Sequence, residues 1–227
     1  MAYLFLFLLT DIPNPMKKNA VLLILFILPI VAYLFFATGV NKFMFLPTVT
    51  PTIPDVVQWK TLDGKPVSLD KKISILGFAG HEVLKRKGNY FNLNQKIYLK
   101  NKDFTDFQFV IVAPTGSEQQ VSVLLNGLKS LSDTSKWLFV FAPQAEIQDF
   151  FSKLKLKGKL EPDGGSNFVY IIDKKRNLRG RKDPEEYKEG YNAFSPADVY
   201  NEMTDDVKVI LAEYRLALKR NNANRQN

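Results

Sequence analysis

The sequence contains no cysteine, and His81 is its single histidine. Without a thiol, the chain can form no disulfide, perform no thiol–disulfide exchange and bind neither zinc nor an iron–sulfur cluster through cysteine. One imidazole is too few for a multi-histidine metal site, and a Ser/His/Asp triad would have to use His81. These absences lead us to predict a protein with no cofactor, no bound metal and no catalytic residues.

The rest of the composition is that of a folded protein. Hydrophobic residues make up 46% and aromatic residues 13% of the 227 positions, which excludes a disordered or collagen-like chain. There are 31 Lys and Arg against 23 Asp and Glu, so the formal net charge is +8. A chain of this length suits one domain, or one domain and an anchor.

The longest run without a charged residue covers positions 20–37, and residues 38–40 extend it. A run of this size lies at the lower end of the length that crosses a hydrocarbon layer as a helix. Pro29 lies inside it and would kink a membrane helix without breaking it. The run therefore predicts a transmembrane helix.

Two lysines before the run set its expected orientation. Lys17 and Lys18 belong in the cytoplasm by the positive-inside tendency, which puts the larger C-terminal part on the far side. We predict an uncleaved signal anchor over 16–45 that crosses the inner membrane once, through residues 20–40, with the C-terminal domain in the periplasm. Cleavage after residue 39 is the alternative, which is weaker because the run is longer than a usual signal-peptide core.

Short segments flank the anchor and the domain. Residues 1–15 are apolar but too short to span a membrane, so they are either an upstream mis-start, with Met16 as the true initiator, or an interfacial segment. Residues 46–55 carry three prolines and three threonines and predict a stiff, extended linker. Residues 223–227 are predicted to be a flexible tail.

Beyond the linker, residues 56–222 show the pattern of an α/β domain. The turn signal Asp63-Gly64 predicts a hairpin of residues 56–60 and 67–69. Continuous apolar runs predict buried strands, and apolar residues at i, i+3 and i+4 spacing predict helices. The predicted strands cover 73–79, 107–113, 137–142, 168–172 and 178–181, and the predicted helices cover 89–100, 118–131, 145–156 and 195–220. This order predicts a thioredoxin-like sheet with helices on both faces, an antiparallel edge and an N-terminal hairpin extension, preceded by the transmembrane helix.

Several local motifs make the resemblance more specific. The anchor, the DGKPVSL hairpin at 63–69, a strand ending in a glycine-rich turn and the YIID sequence at 170–173 resemble the Sco/SenC family of membrane-anchored copper chaperones. The resemblance covers residues 56 to about 220. It implies a thioredoxin-like fold with a CxxxC pair after the first core strand and a histidine before the YIID-like strand, which together hold copper.

None of these three ligands is present in this chain. Matching Leu76-Gly77 with the family's Phe-Gly places His81 and Lys85 at the two cysteine positions and Gly165 at the histidine position. One imidazole and an ammonium group cannot hold Cu(I), which prefers thiolate ligands. The resemblance therefore implies a degenerate member of the family, with neither its metal site nor its redox chemistry.

Basic residues provide the candidate interaction surface. Arg179 and Arg181 alternate with smaller residues and should share one strand face, where they could bind a carboxylate or a phosphate. The surface would meet an acidic protein partner or anionic lipid, whereas nucleic acid is not expected because no stacking-aromatic motif accompanies the cations. The alternative is a turn kept soluble by its charges. The predicted surface consists of His81, Lys85, Lys174, Lys175, Arg176, Arg179, Arg181 and Lys182.

Two functional hypotheses follow from the sequence. The first is a membrane-anchored, non-catalytic thioredoxin-like binding or assembly factor on the periplasmic side, with a protein partner of unknown identity. The second is a residual metal carrier or enzyme that uses His81, either as a ligand or as a proton relay.

Overall fold

The computed structural model describes residues 14–38, 45–182 and 187–223. The chain divides into two compact units, residues 1–43 and residues 44–227.

The described part of the first unit is one helix, α1 (Asn14–Thr38), with Pro29 inside it. Between residues 21 and 33 its apolar side chains are mostly exposed, as Leu25 (65%) and Phe26 (68%) illustrate. Within the described stretches of the chain, no helix has both the length and the apolar character needed to cross a membrane. The predicted transmembrane helix therefore stays a prediction, and the segment predicted over 1–15 lies outside the described residues except for its last two.

The second unit is built on a mixed sheet. Its strands are β1 (Thr48–Thr50), β2 (Ile73–Ala79), β3 (Phe107–Pro114), β4 (Trp137–Ala142), β5 (Gly165–Ile172), β6 (Leu178–Arg179), β7 (Arg181–Lys182), β8 (Tyr187–Lys188) and β9 (Tyr191–Asn192). The order across the sheet is β1-β6-β5-β2-β3-β4, β9 also pairs with β5, and β7 pairs with β8 separately. Strands β2, β3 and β4 are parallel, whereas β5 is antiparallel to β2. All four predicted core strands are therefore present.

Helices connect and follow these strands. They are α2 (Lys87–Leu93), α3 (Leu99–Asn101), α4 (Glu118–Lys129), α5 (Gln144–Lys153) and α6 (Thr204–Ala223). A 3-10 turn (Val83–Arg86) leads into α2, a π-helical turn (Asn94–Tyr98) joins α2 to α3, and a second π-helical turn (Asp198–Met203) leads into α6. The four predicted helices are each present with shifted ends.

The sheet separates two hydrophobic cores, and this confirms an α/β architecture with helices on both faces. Ile75 of β2 belongs to the core that the helices of residues 83–101, α4 and α6 cover. Its neighbour Leu76 belongs to the opposite core, which α5 and the segment 53–69 cover. Because both faces of the central strands are buried, these strands read as unbroken apolar runs instead of alternating patterns.

The segment predicted as a linker belongs to the domain. Thr48–Thr50 forms edge strand β1 and pairs antiparallel with β6, and Leu46 and Ile53 on either side are buried. The backbone is extended at 48–50 and bends at 51–52, where Thr52 has φ +42°. The N–H of Gly180 donates to the carbonyl of Pro47, which ties the segment to the sheet. Proline is compatible with an edge strand because the missing N–H can face away from the sheet.

The predicted hairpin is wrong in its strands, although the structure confirms its turn. Gly64 has φ +72°, and the N–H of Thr61 donates to the carbonyl of Lys65 at 3.0 Å. The flanking residues 56–60 and 67–69 form no strands. Lys60 only makes single β-bridges with Pro66 and with Phe141. Apart from the exposed Val57, their apolar side chains pack onto one face of the sheet, so the segment covers a core where a hairpin would present two faces.

Candidate functional site

The carboxyl end of β2 is where the resemblance places its first ligand. The chain turns at Gly80, which has φ +68°, and continues through the exposed residues His81 and Glu82. The backbone N–H of His81 donates to the carbonyl of Asp163 at 3.0 Å, and its carbonyl accepts a hydrogen bond from Gln120 Nε2 at 2.8 Å. Its imidazole has no hydrogen-bond partner among the described residues. The backbone of His81 is thus fixed, while its ring remains free at the surface.

Lys85 lies on the 3-10 turn that follows. Its ammonium group lies 2.9 Å from a carboxylate oxygen of Glu82, in an exposed pair one turn apart. The hydrogen bond and the negative charge of Glu82 raise the pKa of this lysine. His81 and Lys85 are both exposed and form part of one rim.

The position beneath this rim is filled by Arg86, which the sequence analysis did not single out. Its side chain is 4% exposed, and its guanidinium makes a two-pronged contact with Asp163, at 2.6 Å from Nη1 and 3.0 Å from Nη2. Nη2 also donates to Glu161 at 2.5 Å, and Nη1 donates to the carbonyl of Ala79 at 3.2 Å. A buried charge needs such partners, because removing an ion from water is costly.

The glycines around this ion pair leave room for the guanidinium. Gly165 pairs with Ala79 across β5 and β2, and a Cβ on Gly165 would lie 2.6 Å from Arg86 Cζ. A Cβ on Gly80 would lie 2.6 Å from a carboxylate oxygen of Asp163. Residue 165, to which the resemblance assigns the third ligand, must therefore lack a side chain so that Arg86 can lie against the sheet.

Burial and the neighbouring hydrogen-bond donors shift the pKa of Asp163 in opposite directions. Burial alone would raise the pKa of Asp163, but hydrogen bonds from Arg86 and from the N–H of Gly165 outweigh it and hold that pKa below its usual range. Burial alone would lower the pKa of Arg86, but its hydrogen bonds to Asp163 and Glu161 and their negative charges outweigh burial and raise that pKa. We define the Arg86 network as Arg86, Glu161 and Asp163.

Two asparagines extend the Arg86 network toward α2. Asn89 Nδ2 donates to Asn167 Oδ1 at 2.8 Å, and Asn167 Nδ2 donates to Glu161 Oε1 at 3.3 Å. Among the described residues, no three metal-ligating side chains converge here or elsewhere. The arrangement can link β2, α2 and the start of β5 rigidly, and it offers neither a nucleophile nor a ligand set.

A pattern in the sequence could have revealed the burial of Arg86. Val83, Arg86, Tyr90, Leu93 and Ile97 follow one another at helical spacing, and all five are buried. An arginine on an apolar stripe requires a buried anion. That anion comes from 75 and 77 residues further along the chain, so its identity could not be read locally.

Two of the three arginines of the predicted interaction surface, Arg179 and Arg181, are bound by carboxylates of this chain, which corrects that prediction. The Arg179 guanidinium is buried and contacts Asp173 at 3.0 Å and Glu213 at 3.1 Å. Arg181 contacts Asp206 at 2.9 Å. Both do lie toward one side, as the alternation predicts, but acidic residues of this chain already bind them.

The rest of the predicted surface is divided between two places. Lys174, Lys175 and Arg176 follow the end of β5, where Ile172 pairs with Ser74 near the start of β2. His81 follows the other end of β2, about 20 Å away along a seven-residue strand. Lys174 binds Asp106, while Lys175 and Lys182 are exposed. The predicted residues therefore do not form one surface.

Comparison with known proteins identifies the fold. No family model and no curated protein matches the sequence. A solved structure of a protein from Bacteroides thetaiotaomicron, assigned as a protein disulfide isomerase, is similar with a TM-score of 0.52 and 18% identity over 74% of this chain and 95% of that one. BsSco, described as a member of the Sco family of cytochrome c oxidase assembly proteins, is similar with a TM-score of 0.51 and 17% identity over 72% of this chain and 95% of that one. At these identities the likeness shows the fold, and residues 44–227 form a thioredoxin-like domain.

Proposed function

We propose that this protein is a membrane-anchored, non-catalytic thioredoxin-like factor that binds or assembles a protein partner on the periplasmic side of the inner membrane. The observation that carries the proposal is the guanidinium of Arg86, which is buried against Asp163 at the end of β2 where the resemblance places thiols. A guanidinium stays protonated and neither exchanges disulfides nor binds Cu(I). A fold does not dictate one chemistry, and this one can serve as a scaffold.

The more specific Sco-like role is part of the proposal. It is supported by the DGKPVSL and YIID motifs and by the similarity to BsSco, whose family is described as assembling cytochrome c oxidase. By analogy, the partner of this chain would be a membrane complex of the cell envelope. The three ligand positions, His81, Lys85 and Gly165, differ from the family pattern, so delivery of copper is not part of the proposed role.

The proposed docking surface is the rim above the Arg86 network. His81, Glu82 and Lys85 are exposed there, and Gln120 holds the backbone of the turn through the carbonyl of His81. A surface that is already ordered loses little conformational entropy on binding. The Arg86 network provides this order from below, because it fixes the turn to the start of β5.

The anchor in the proposal is the segment 16–45, which contains most of helix α1. Support comes from the uncharged run at 20–37 and from the exposure of its apolar side chains between residues 21 and 33. Carbonate extraction of cell membranes should leave the full-length protein in the pellet, and protease added to spheroplasts should degrade the domain. Release by carbonate would remove the anchor from the proposal.

Partner capture tests the docking surface. The full-length chain, purified from membranes in mild detergent, should bring down a defined protein whose recovery falls about tenfold in H81E/K85E, because opposite charges disrupt a docked rim. The matched double variant K182E/N201E changes the net charge by the same amount, because His81 and Asn201 both count as neutral, and it does so at exposed residues elsewhere. Equal recovery in both variants would exclude the rim as the docking surface.

Metal titration separates this proposal from the alternative of a residual metal carrier or enzyme. We expect neither Cu(I) nor Zn²⁺ to bind stoichiometrically to the purified full-length protein, since among the described residues His81 belongs to no group of three metal-ligating side chains. Tight binding of one metal ion that H81A abolishes would favour the alternative.

A further inference from the structure

The end of the domain opposite His81 gathers an excess of positive charge. We define the basic pole as eight cations on the loops at the amino ends of β2, β3 and β4 and at the carboxyl end of β5, together with one turn of α6. Four carboxylates lie among them, and the neighbouring Asp173 and Glu213 both bind Arg179, so this end of the domain has a net charge of about +3, out of +6 on residues 45–227. The cations are Lys71, Lys72, Lys102, Lys136, Lys174, Lys175, Arg176 and Arg215, and the carboxylates are Asp70, Asp103, Asp106 and Asp133.

Contacts between these loops show that the pole is continuous. Lys72 and Lys174 both bind Asp106. Lys136 donates to the carbonyl of Phe104 at 2.8 Å, and the guanidinium of Arg215 lies 5.9 Å from the centre of the Phe104 ring. The cations therefore line one end of the sheet and are not scattered over the domain.

Of the eight cations, only Lys72 and Lys174 bind a carboxylate among the described residues. Three of the other six, Lys71, Lys175 and Arg176, lie on two turns that are hydrogen-bonded together. The N–H of Lys71 donates to the carbonyl of Lys174 at 2.9 Å, and the N–H of Ile53 donates to the carbonyl of Arg176 at 2.8 Å. These bonds hold Lys71 and Arg176 at positive φ, 59° and 60°, which costs backbone energy for residues other than glycine.

The chain also enters the domain beside the basic pole. The N–H of Leu46 donates to Glu213 of α6 at 3.1 Å. The next two residues of α6, Tyr214 and Arg215, lie at the basic pole. Tyr214 accepts a hydrogen bond from the N–H of Lys174 at 3.2 Å, and Arg215 is one of the eight cations. Only residues 39–44 separate helix α1 from the described start of the domain, a reach of about 25 Å when fully extended.

We infer that the basic pole binds the anionic headgroups of the bilayer in which α1 is anchored. This inference rests on the proposed anchoring. Several lysines and arginines spread over one end of a domain suit the diffuse negative potential of a lipid surface, to which each adds a small attraction. Binding there would leave the rim around His81 at the opposite end of the sheet, where a partner can reach it.

The test uses the absence of cysteine and two exposed threonines. Thr105 precedes β3 at the basic pole, and Thr115 follows β3 at the opposite end. Full-length T105C and T115C can each be labelled with one fluorophore and reconstituted in nanodiscs of phosphatidylcholine, with or without about 30% phosphatidylglycerol. A quencher attached to lipid headgroups then reports which end approaches the bilayer.

We expect anionic lipid to increase quenching at position 105 about twofold and to leave position 115 unchanged. About 0.5 M salt should abolish the increase, because it screens exposed charges. The triple variant K71E/K175E/R176E should also abolish it. The matched variant K87E/K159E/K182E, with the same change in net charge on exposed lysines elsewhere, should retain it, and circular dichroism should show that both variants are folded.

Three results would overturn the inference. They are equal quenching at position 105 in both lipids, equal loss in the two triple variants, or binding of soluble polyglutamate to the pole with no response to anionic bilayers, which would indicate an acidic protein partner. The same experiments separate a wrong anchor from a wrong lipid-binding surface. In that case carbonate would extract the protein, while anionic vesicles would still quench the label at position 105.

Discussion

Two triplets of consecutive basic residues have opposite fates in this domain. In Lys85-Arg86-Lys87, the central arginine is buried and bound to two carboxylates. In Lys174-Lys175-Arg176, the first lysine binds Asp106, and the other two find no carboxylate among the described residues. The triplets are alike in sequence and differ in what the fold brings to them. A cluster of charges in a sequence therefore does not by itself mark a free binding surface.

The largest expected effect is the removal of the buried guanidinium. R86M should lower the free energy of unfolding by about 3–5 kcal/mol, because it leaves Asp163 partly buried without its partner. K85M and K87M, at exposed neighbours, should change it by less than about 0.5 kcal/mol. Urea denaturation of the full-length protein in detergent, followed by tryptophan fluorescence, measures all three variants. A loss below about 1 kcal/mol in R86M would contradict the role given to this ion pair.

The second comparison is between two arginines three residues apart. R179M should cost about 3 kcal/mol, because Asp173 is buried beside its guanidinium and would remain as an unpaired charge. R176M should change the free energy of unfolding by less than about 0.5 kcal/mol. The same urea measurement applies. Similar effects in the two variants would mean that the guanidinium of Arg179 is not buried beside Asp173.

The third prediction concerns the space that glycine leaves for Arg86. G165A should cost about 1–3 kcal/mol, because the new methyl group would press on the guanidinium and on the carbonyl of Ala79. In the R86M background the added cost of G165A should be smaller, since methionine can move aside, and a double-mutant cycle measures that coupling. G158A serves as the control, because a Cβ there meets nothing within 4 Å. Strict additivity of R86M and G165A would rule out the steric argument.

The smallest expected effect is on how the free energy of unfolding falls at acidic pH. Burial of Asp163 is outweighed by hydrogen bonds from Arg86, so the pKa of this carboxyl is lower in the folded state than in the unfolded state. Its contribution is complete above the unfolded-state pKa of about 4 and is lost as the pH falls through the lower folded-state pKa. Urea denaturation at a series of acidic pH values should therefore show a shallower decline in D163N. An unchanged slope would indicate that other groups control acid unfolding.

Much of the fold could be predicted from the sequence because its signals are local. The strand at 107–113 and the helix at 118–131 follow from apolar runs and helical spacing, and both are present with small shifts at their ends. The linker over 46–55 was mispredicted because proline and threonine indicate extended backbone but not what it pairs with. The hairpin strands failed for a related reason, since the same apolar residues can alternate across two faces or pack onto one.

The candidate site was less predictable than the fold. The motifs placed His81, Lys85 and Gly165 at one end of the sheet, and the structure shows them around a guanidinium that was not anticipated. Arg86 lies on a readable apolar stripe, but its carboxylates lie on the loop before β5. No local pattern connects residues so far apart in the chain.

By itself, the sequence determined that thiol chemistry is absent, that an apolar N-terminal segment precedes an α/β domain, and where the main strands and helices lie. These properties depend on composition and on the side-chain spacing of single segments. Only the tertiary structure decided which charges are neutralised inside the domain and which stay at its surface. Ion pairs such as Arg86 with Asp163 and Arg179 with Glu213 join distant segments, so they exist only once the chain has folded.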